Sequence, residues 1–464
     1  MNRRDFLKKL AITTSVSGIM LSRSSWGITP VAAETKPTGK SSSSKKAIVM
    51  GAGLSGLYAA YLLRQTGYDV TIVDRSERLG GRIYTHRDKV NNIVQDLGAE
   101  WIGEGQSDIK SLVKQLGLEL KTSALAEKFQ IKKTGESSSL IQLSPSSVET
   151  LEKVIDLHKS LNENQKQGLD KINFLSYARY QGLAEDDVRA LSECYRIFFG
   201  EDLNQISSEA VLNDLASAES ALRPQYYIAG GADKIISALA ANLGDTEISL
   251  GDPITKVSQM KSQALVELAS GKTIKGSLII CTLPPAAVLD IKWSPGLPKD
   301  LVYSALRMQS GKISKNIVLC AKKENLTPKF LLTDTPAQAI YIASEEAIGE
   351  KSYFLTSLST GDRASLFEKG SDAQKKSMLK LSLSETKTDE ILESIDNSPY
   401  VFHSFQKSTG SQGFVSLFPP GSLGIKDAWA ESYERVFFAG EHLAKQNGTM
   451  DAAVASAIQA VSRT

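Results

Sequence analysis

Lys46-Ala47-Ile48-Val49-Met50-Gly51-Ala52-Gly53-Leu54-Ser55-Gly56 sets the architecture of this chain. The apolar run from Ala47 to Met50 reads as a short strand of a parallel sheet, where both faces are covered and polar alternation disappears. Three glycines follow at once, spaced Gly51-x-Gly53-x-x-Gly56. Leu57 to Thr66 then reads as a helix closed by Gly67, and Val70-Thr71-Ile72-Val73 as a second strand ending at Asp74. A glycine triplet alone says little. Placed between a strand and a helix, with a carboxylate 18 residues after the last glycine, it points to a dinucleotide. Gly51 permits the turn, Gly53 lets the backbone approach a pyrophosphate, and Gly56 lets the helix pack on the strand. The amino end of that helix supports negative phosphates, and Leu54 and Ser55 of the glycine turn join it as cofactor-binding residues. Asp74, followed by Arg75, can accept hydrogen bonds from a ribose hydroxyl.

Upstream, Asn2-Arg3-Arg4-Asp5-Phe6-Leu7-Lys8-Lys9 precedes a mildly apolar run from Leu10 to Leu21. Paired arginines before Phe-Leu-Lys resemble a twin-arginine export signal. Thr13, Thr14, Ser15, Ser17 and Gly18 interrupt the run, which is too short and too polar for a comfortable membrane span. A cleavage site after Val31-Ala32-Ala33 makes residues 1–33 a signal peptide and residues 34–45 a Ser/Lys/Thr-rich linker. The expectation is export to the periplasm or an extracytoplasmic face. The competing reading is a retained amphipathic anchor with peripheral membrane contact.

The chain has 464 residues, enough for two interleaved domains. Its 54 basic and 52 acidic residues give no reason to propose nucleic acid as a partner. Cys194, Cys281 and Cys320, with His86, His158, His403 and His442, match neither a metal site nor a disulfide framework. Val148 to Leu161 and Asp186 to Phe199 have helical patterns and suggest a separate helical region. Strand signals return near Ile248 to Met260, Ala264 to Ala269, Leu278 to Cys281, Ile317 to Cys320, Tyr353 to Leu358 and Val436 to Ala439. A last helix spans Asp451 to Ser462.

Arg78-Leu79-Gly80-Gly81-Arg82 follows Asp74. Its glycines allow a second backbone approach to a cofactor, and Arg82 can neutralise phosphate. This Arg-x-Gly-Gly-Arg run resembles the flavin-containing amine oxidase family, which includes monoamine oxidases, polyamine oxidases and L-amino acid oxidases. Asp96-Leu97-Gly98-Ala99-Glu100-Trp101 looks like the segment lying along the flavin ring in that family. Pro253-Ile254-Thr255-Lys256-Val257 resembles the strand whose backbone meets adenine, at Ile254. Gly230-Gly231, Thr282-Leu283-Pro284-Pro285 and Phe418-Pro419-Pro420-Gly421 are also typical. In Phe438-Ala439-Gly440-Glu441-His442, the resemblance gives Glu441 the ribityl chain. Gly448-Thr449-Met450 opens the last helix, whose positive end would face the flavin pyrimidine and stabilise the reduced cofactor. The motifs run from residue 47 to residue 461.

The resemblance implies an α/β fold, α+β overall: a Rossmann-type FAD-binding domain (46–112, 222–292, 408–464) interleaved with a mixed-sheet and helical substrate domain (113–221, 293–407). It implies hydride transfer from the α-carbon of an amine to flavin N5, hydrolysis of the imine, and reoxidation by oxygen, a quinone or an electron carrier. In Gly311-Lys312-Ile313-Ser314-Lys315-Asn316 it implies a flavin-facing lysine that assists oxygen reduction. Lys315 is favoured by its place before the apolar run, with Lys312 as the competing candidate on the other face.

Two departures matter. The monoamine oxidases attach FAD through a cysteine before an aromatic residue, where this chain has Gly413-Phe414, so FAD is expected to be non-covalent. Phe414 supplies one wall of the family's aromatic cage, but Thr449 stands where the second ring is usual. Trp101 occupies the position of an arginine that L-amino acid oxidases often use. A carboxylate-bearing substrate such as a basic amino acid would then need Arg196 or Arg223. Glu100 and Glu104 around Trp101 suggest a grip on a distal ammonium or guanidinium. A flavin-binding or partner-binding protein without catalysis is the reading from another class.

Overall fold

The computed structural model describes residues 45–89, 93–123, 130–132, 143–217, 224–321, 330–342, 352–385, 395–406 and 413–464. The signal segment, most of the linker and Arg223 lie outside the described residues.

Lys46–Met50 lies at the centre of a five-stranded sheet ordered Val436–Phe438, Leu278–Cys281, Lys46–Met50, Asp69–Val73, Glu247–Ser249. Every neighbouring pair is parallel. Ile48, Val49 and Met50 are fully buried, as a strand covered on both faces requires. Ala47 and Val49 face helices Leu54–Gln65, Asp233–Leu243 and Met450–Val461. Ile48 and Met50 face a second layer that includes Val257, Val266 and Trp429. Leu57 and Leu63 of the first helix are fully buried, each stabilising the layer by about 1.5–3 kcal/mol.

The sequence patterns place these elements closely, with two differences. The first helix begins at Leu54 rather than Leu57, so its amino end lies inside the glycine triplet. The strand signal over Ile248 to Met260 is two strands in different sheets, Glu247–Ser249 and Ile254–Gln259. Between them Gly251 is left-handed (φ 71°), and its N–H donates to the Ser76 carbonyl at 2.9 Å. That turn carries Ile254 past the end of the second parallel strand.

The other large sheet has six strands, ordered Tyr400–Ser404, Ile313–Ala321, Ser352–Thr360, Ala339–Ile342, Phe330–Thr333, Gln130–Lys132. Lys315 sits in its long strand, opposite Leu358 on one side and His403 on the other. Helices Pro145–Ser160, Phe174–Tyr180, Glu185–Phe199 and Ser208–Ala216 form a separate apolar cluster. Glu185–Phe199 carries Glu185, Asp186 and Asp187 in its first turn, where the helix dipole favours them, and ends on left-handed Gly200. Its Cys194, Ile197 and Phe198 pack against the six-stranded sheet.

Candidate cofactor and substrate site

The glycine turn fits a phosphate group by its shape. Gly51 has φ 109°, and a Cβ on Gly56 would lie 1.9 Å from the Gly51 carbonyl oxygen. Gly53 bridges to Gly80, and Gly80 N–H donates to Ala52 O at 2.9 Å. The two glycine loops therefore run side by side. A Cβ added at Gly53 meets nothing nearer than the Gly80 oxygen at 4.0 Å, so the turn is open at Gly53. The helix above it has no side-chain cap and no acidic residue in its first turn. Its amide donors are free of competing carboxylates, as an anion-binding helix end requires.

Asp74 partly serves the fold itself. Its carboxylate accepts from Ala52 N–H at 2.6 Å and Ser76 N–H at 2.7 Å. Burial raises its pKa, opposed by those two hydrogen bonds and by Arg78 and Arg75. Arg78, which sequence reasoning did not single out, clamps the second glycine loop. It donates to the carbonyls of Leu79 (3.1 Å), Gly81 (2.6 Å) and Ile83 (3.1 Å) and stacks on Tyr84. Its place as the first arginine of Arg-x-Gly-Gly-Arg was the available signal.

Arg82 is not a free phosphate ligand. Its guanidinium donates to Glu441 Oε1 at 2.6 Å and to Phe414 O at 3.0 Å. Glu441 also accepts from Ser416 Oγ at 2.6 Å and Gly448 N–H at 2.8 Å. Burial alone would raise the Glu441 pKa, but the charges of Arg82 and His442 and these hydrogen bonds hold it at about 2. One carboxylate thus ties together the second glycine loop, the Ser416 strand and the entry to the last helix.

Thr449 caps that helix, its Oγ accepting from Ala452 N–H at 3.0 Å. Asp451 on the first turn accepts from Ile109 N–H at 2.8 Å and so joins helix Ser107–Gln115. Thr449→Tyr is expected to cost about 1 kcal/mol through the lost cap. A melting curve checks this, and an unchanged Tm would show that the cap contributes nothing.

Gly98 must be glycine, since a Cβ would come within 2.1 Å of Arg82 O. Ala99 N–H donates to that same oxygen at 3.1 Å. The Leu97–Ala99 backbone is thereby pinned beside the loop of Arg82. Lys315 reaches it from the six-stranded sheet. Its Nζ donates to Asp96 O (3.0 Å), Gly98 O (3.1 Å) and Glu100 Oε2 (2.9 Å). Tyr341 Oη donates to the same Glu100 oxygen at 3.0 Å. The Asp96 carboxylate binds Thr85 Oγ (2.5 Å) and Ala232 N–H (3.0 Å). Burial first, then the Glu100 charge, raises its pKa to about 7. Lys312 precedes the strand and packs by its backbone on Gly200, its N–H donating to Gly200 O at 2.8 Å.

Rings surround this group. Trp101 lies 5.6 Å from Tyr341 and 6.3 Å from Phe198 between centroids. Phe414 lies 6.4 Å from Phe405, which stacks edge-on with His403 at 4.5 Å. Trp101, Phe198 and Phe414 keep part of their surface exposed. Burial, with the charges of Arg78 and Lys315, lowers the His403 pKa to about 4, so that ring is neutral at pH 7. Sequence reasoning missed Phe198, Tyr341, His403 and Phe405, because only strand and helix packing brings them together.

The acidic pair divides. Glu100 turns inward to Lys315, whereas the exposed Glu104 is engaged by Tyr226 and Lys110. Neither carboxylate is left free for a distal ammonium. Arg196 is buried and paired with Glu193 (3.4 Å) and Asp202 (3.5 Å).

An uncapped helix end over a glycine turn, a carboxylate closing the second parallel strand and a lysine brought against the Gly98 segment define an FAD-binding oxidoreductase. The chain belongs to the flavin containing amine oxidoreductase family, whose family model matches residues 54–464. It is an FAD-dependent enzyme that oxidises the C–N bond of an amine. It is 25% identical to an L-amino-acid oxidase of Mus musculus, over 91% of this chain and 71% of that one. It is 24% identical to an L-amino-acid oxidase of Gloydius halys, over 90% and 88%. Among solved structures, a putrescine oxidase bound to putrescine superposes with TM-score 0.74 at 17% identity, over 90% and 98% of the two chains. A cyclohexylamine oxidase from Brevibacterium oxydans superposes with TM-score 0.77 at 17% identity, over 91% and 98%.

Proposed function

We propose that the substrate is an amine with an apolar carbon frame and no carboxylate, oxidised to the imine and released after hydrolysis. The observation that carries this reading is the set of partly exposed rings of Trp101, Phe198 and Phe414 on one apolar cluster, with Trp101 5.8 Å from Lys315 and with Glu100 and Arg196 already paired. When bound, FAD supplies the acceptor for the hydride equivalent. Gly51, Gly53, Leu54, Ser55 and Gly56 hold its phosphates, and Asp74, Arg75 and Ile254 the adenosine end. Gly81, Gly98, Ala99, Glu441, Thr449 and Met450 hold the flavin end, with Arg82 acting through Glu441. The rings exclude water and favour the neutral amine, and Thr449 leaves the side opposite Phe414 open. Lys315 directs positive charge to the site of reoxidation, with dioxygen as acceptor. The oxidase names of the relatives support that acceptor over a quinone or electron carrier.

The test is an anaerobic screen read at the flavin absorbance. Cyclic and arylalkyl amines should bleach the yellow protein faster than diamines and faster than any L-amino acid. Fastest bleaching by a basic L-amino acid would favour the second reading, which the L-amino-acid oxidase relatives support.

The cofactor is proposed to be non-covalent. Gly413 stands before Phe414, and Cys194, Cys281 and Cys320 are buried. Acid precipitation should leave the flavin in the supernatant, and a yellow pellet would refute this. We further propose that residues 1–33 direct twin-arginine export to the periplasm, and that the two sets of segments work as cofactor and substrate domains. Replacing Arg3 and Arg4 with lysine should retain the protein in the cytoplasm, whereas undiminished export would exclude the route.

A further inference from the structure

Lys315 carries one positive charge and three N–H donors. All three are engaged, two on backbone carbonyls and one on Glu100. The two side chains are almost fully buried, 4% and 11% exposed. In so dry a place the Coulomb interaction is strong, and a carboxylate at 2.9 Å cancels most of the field that the ammonium would otherwise project. Glu100 is itself fixed by Tyr341, which stands on the same six-stranded sheet as Lys315. Lys315 is therefore held in place and muted by the same residue.

We infer that Glu100 is a positioning residue that sets the direction and the effective charge of Lys315, and so restrains the reaction of the reduced enzyme with dioxygen. The inference rests on the proposal that Lys315 faces the flavin. In the step concerned, dioxygen takes two electrons and two protons from the reduced enzyme and leaves as hydrogen peroxide, the cofactor returning to its oxidised form. Negative charge develops on oxygen along the way, and an unneutralised ammonium would stabilise it.

The test uses the full flavin-loaded protein and two readouts. The first is sulfite titration of the oxidised protein, an equilibrium measure of positive charge beside the flavin that involves no turnover. The second is the rate of reoxidation by dioxygen after anaerobic reduction. Glu100→Gln keeps the shape and removes the charge. Sulfite affinity and reoxidation rate are both expected to rise about tenfold. Lys315→Met should lower both. Changes below about twofold in Glu100→Gln, with Lys315→Met still strongly impaired, overturn the inference and leave the role of Lys315 standing. No effect from either change removes the role of Lys315 itself.

Should Glu100→Gln fail to hold flavin, the double variant Glu100→Gln/Lys315→Met decides. Recovery of flavin binding in the double variant shows that Glu100 was needed to neutralise Lys315. Continued failure, with Lys315→Met alone intact, shows a role for Glu100 independent of the lysine and overturns the inference.

Discussion

Lys315→Met is expected to slow reoxidation of the reduced enzyme by dioxygen by about 100-fold, because it removes the ammonium and also leaves the Glu100 carboxylate unneutralised beside the developing anion. Flavin reduction by substrate should fall by less than about tenfold, since hydride transfer belongs chiefly to the cofactor and to orientation by the rings. The change also strands Glu100, which among the described residues keeps Tyr341 as its side-chain donor, so a lower Tm should accompany it. Lys312→Met is the control. Lys312 precedes the strand and bonds through its backbone to Gly200, so its loss should leave both half-reactions within about twofold, as surface substitutions generally do. Stopped-flow traces of the two half-reactions separate the cases. Equal, mild effects from both substitutions would mean that neither lysine serves reoxidation.

Glu441→Ala is expected to be the most damaging single change for the fold around the cofactor. It leaves the Arg82 guanidinium without its carboxylate and removes the acceptor for Ser416 Oγ and Gly448 N–H. Breaking a fully buried pair from one side costs about 3–5 kcal/mol, and this pair, with Arg82 partly in solvent, should cost about 3 kcal/mol or less. Purified protein should come off the column largely colourless, with a correspondingly lower Tm. The acid limb of the stability profile tests the same node. The folded pKa of Glu441, about 2, lies below its ordinary value of 4.5. Its stabilisation is therefore fully present above pH 4.5 and is lost as pH falls from there through about 2. Glu441→Gln should flatten this limb between pH 4.5 and 2, with unfolding followed by circular dichroism. A variant with the wild-type acid limb and full flavin content would remove Glu441 from this role.

The amino-acid sequence by itself determined the parallel sheet and the cofactor class. Both rest on short-range physics. An apolar run, three glycines and a carboxylate within 29 residues, Lys46 to Asp74, leave one turn geometry: Gly51 has a positive φ and lies against the Thr282 hydroxyl, and Gly56 lies against the Gly51 backbone. The last helix and the two longest helices of the substrate region were legible from periodicity in the same way. The distinction between Lys315 and Lys312 was legible only as a preference, because it depends on where the strand begins.

Tertiary structure alone decided what the charged residues do. Arg82 looks like a phosphate ligand until residue 441 arrives beside it from the far end of the chain. Glu100 and Glu104 look alike four residues apart, yet one is buried against Lys315 and the other is exposed beside Lys110. Thr449, noted for the ring it lacks, proves to be a helix cap. The rings of Phe198, Tyr341, His403 and Phe405 carry no local signal, because nothing in their own helix, strand or turn marks them as neighbours. Side-chain charge and aromatic contact act through space over a few ångströms. Their partners are chosen by strand register and helix packing, which join residues hundreds of positions apart, and a pattern read along the chain records only neighbours within a turn or a strand.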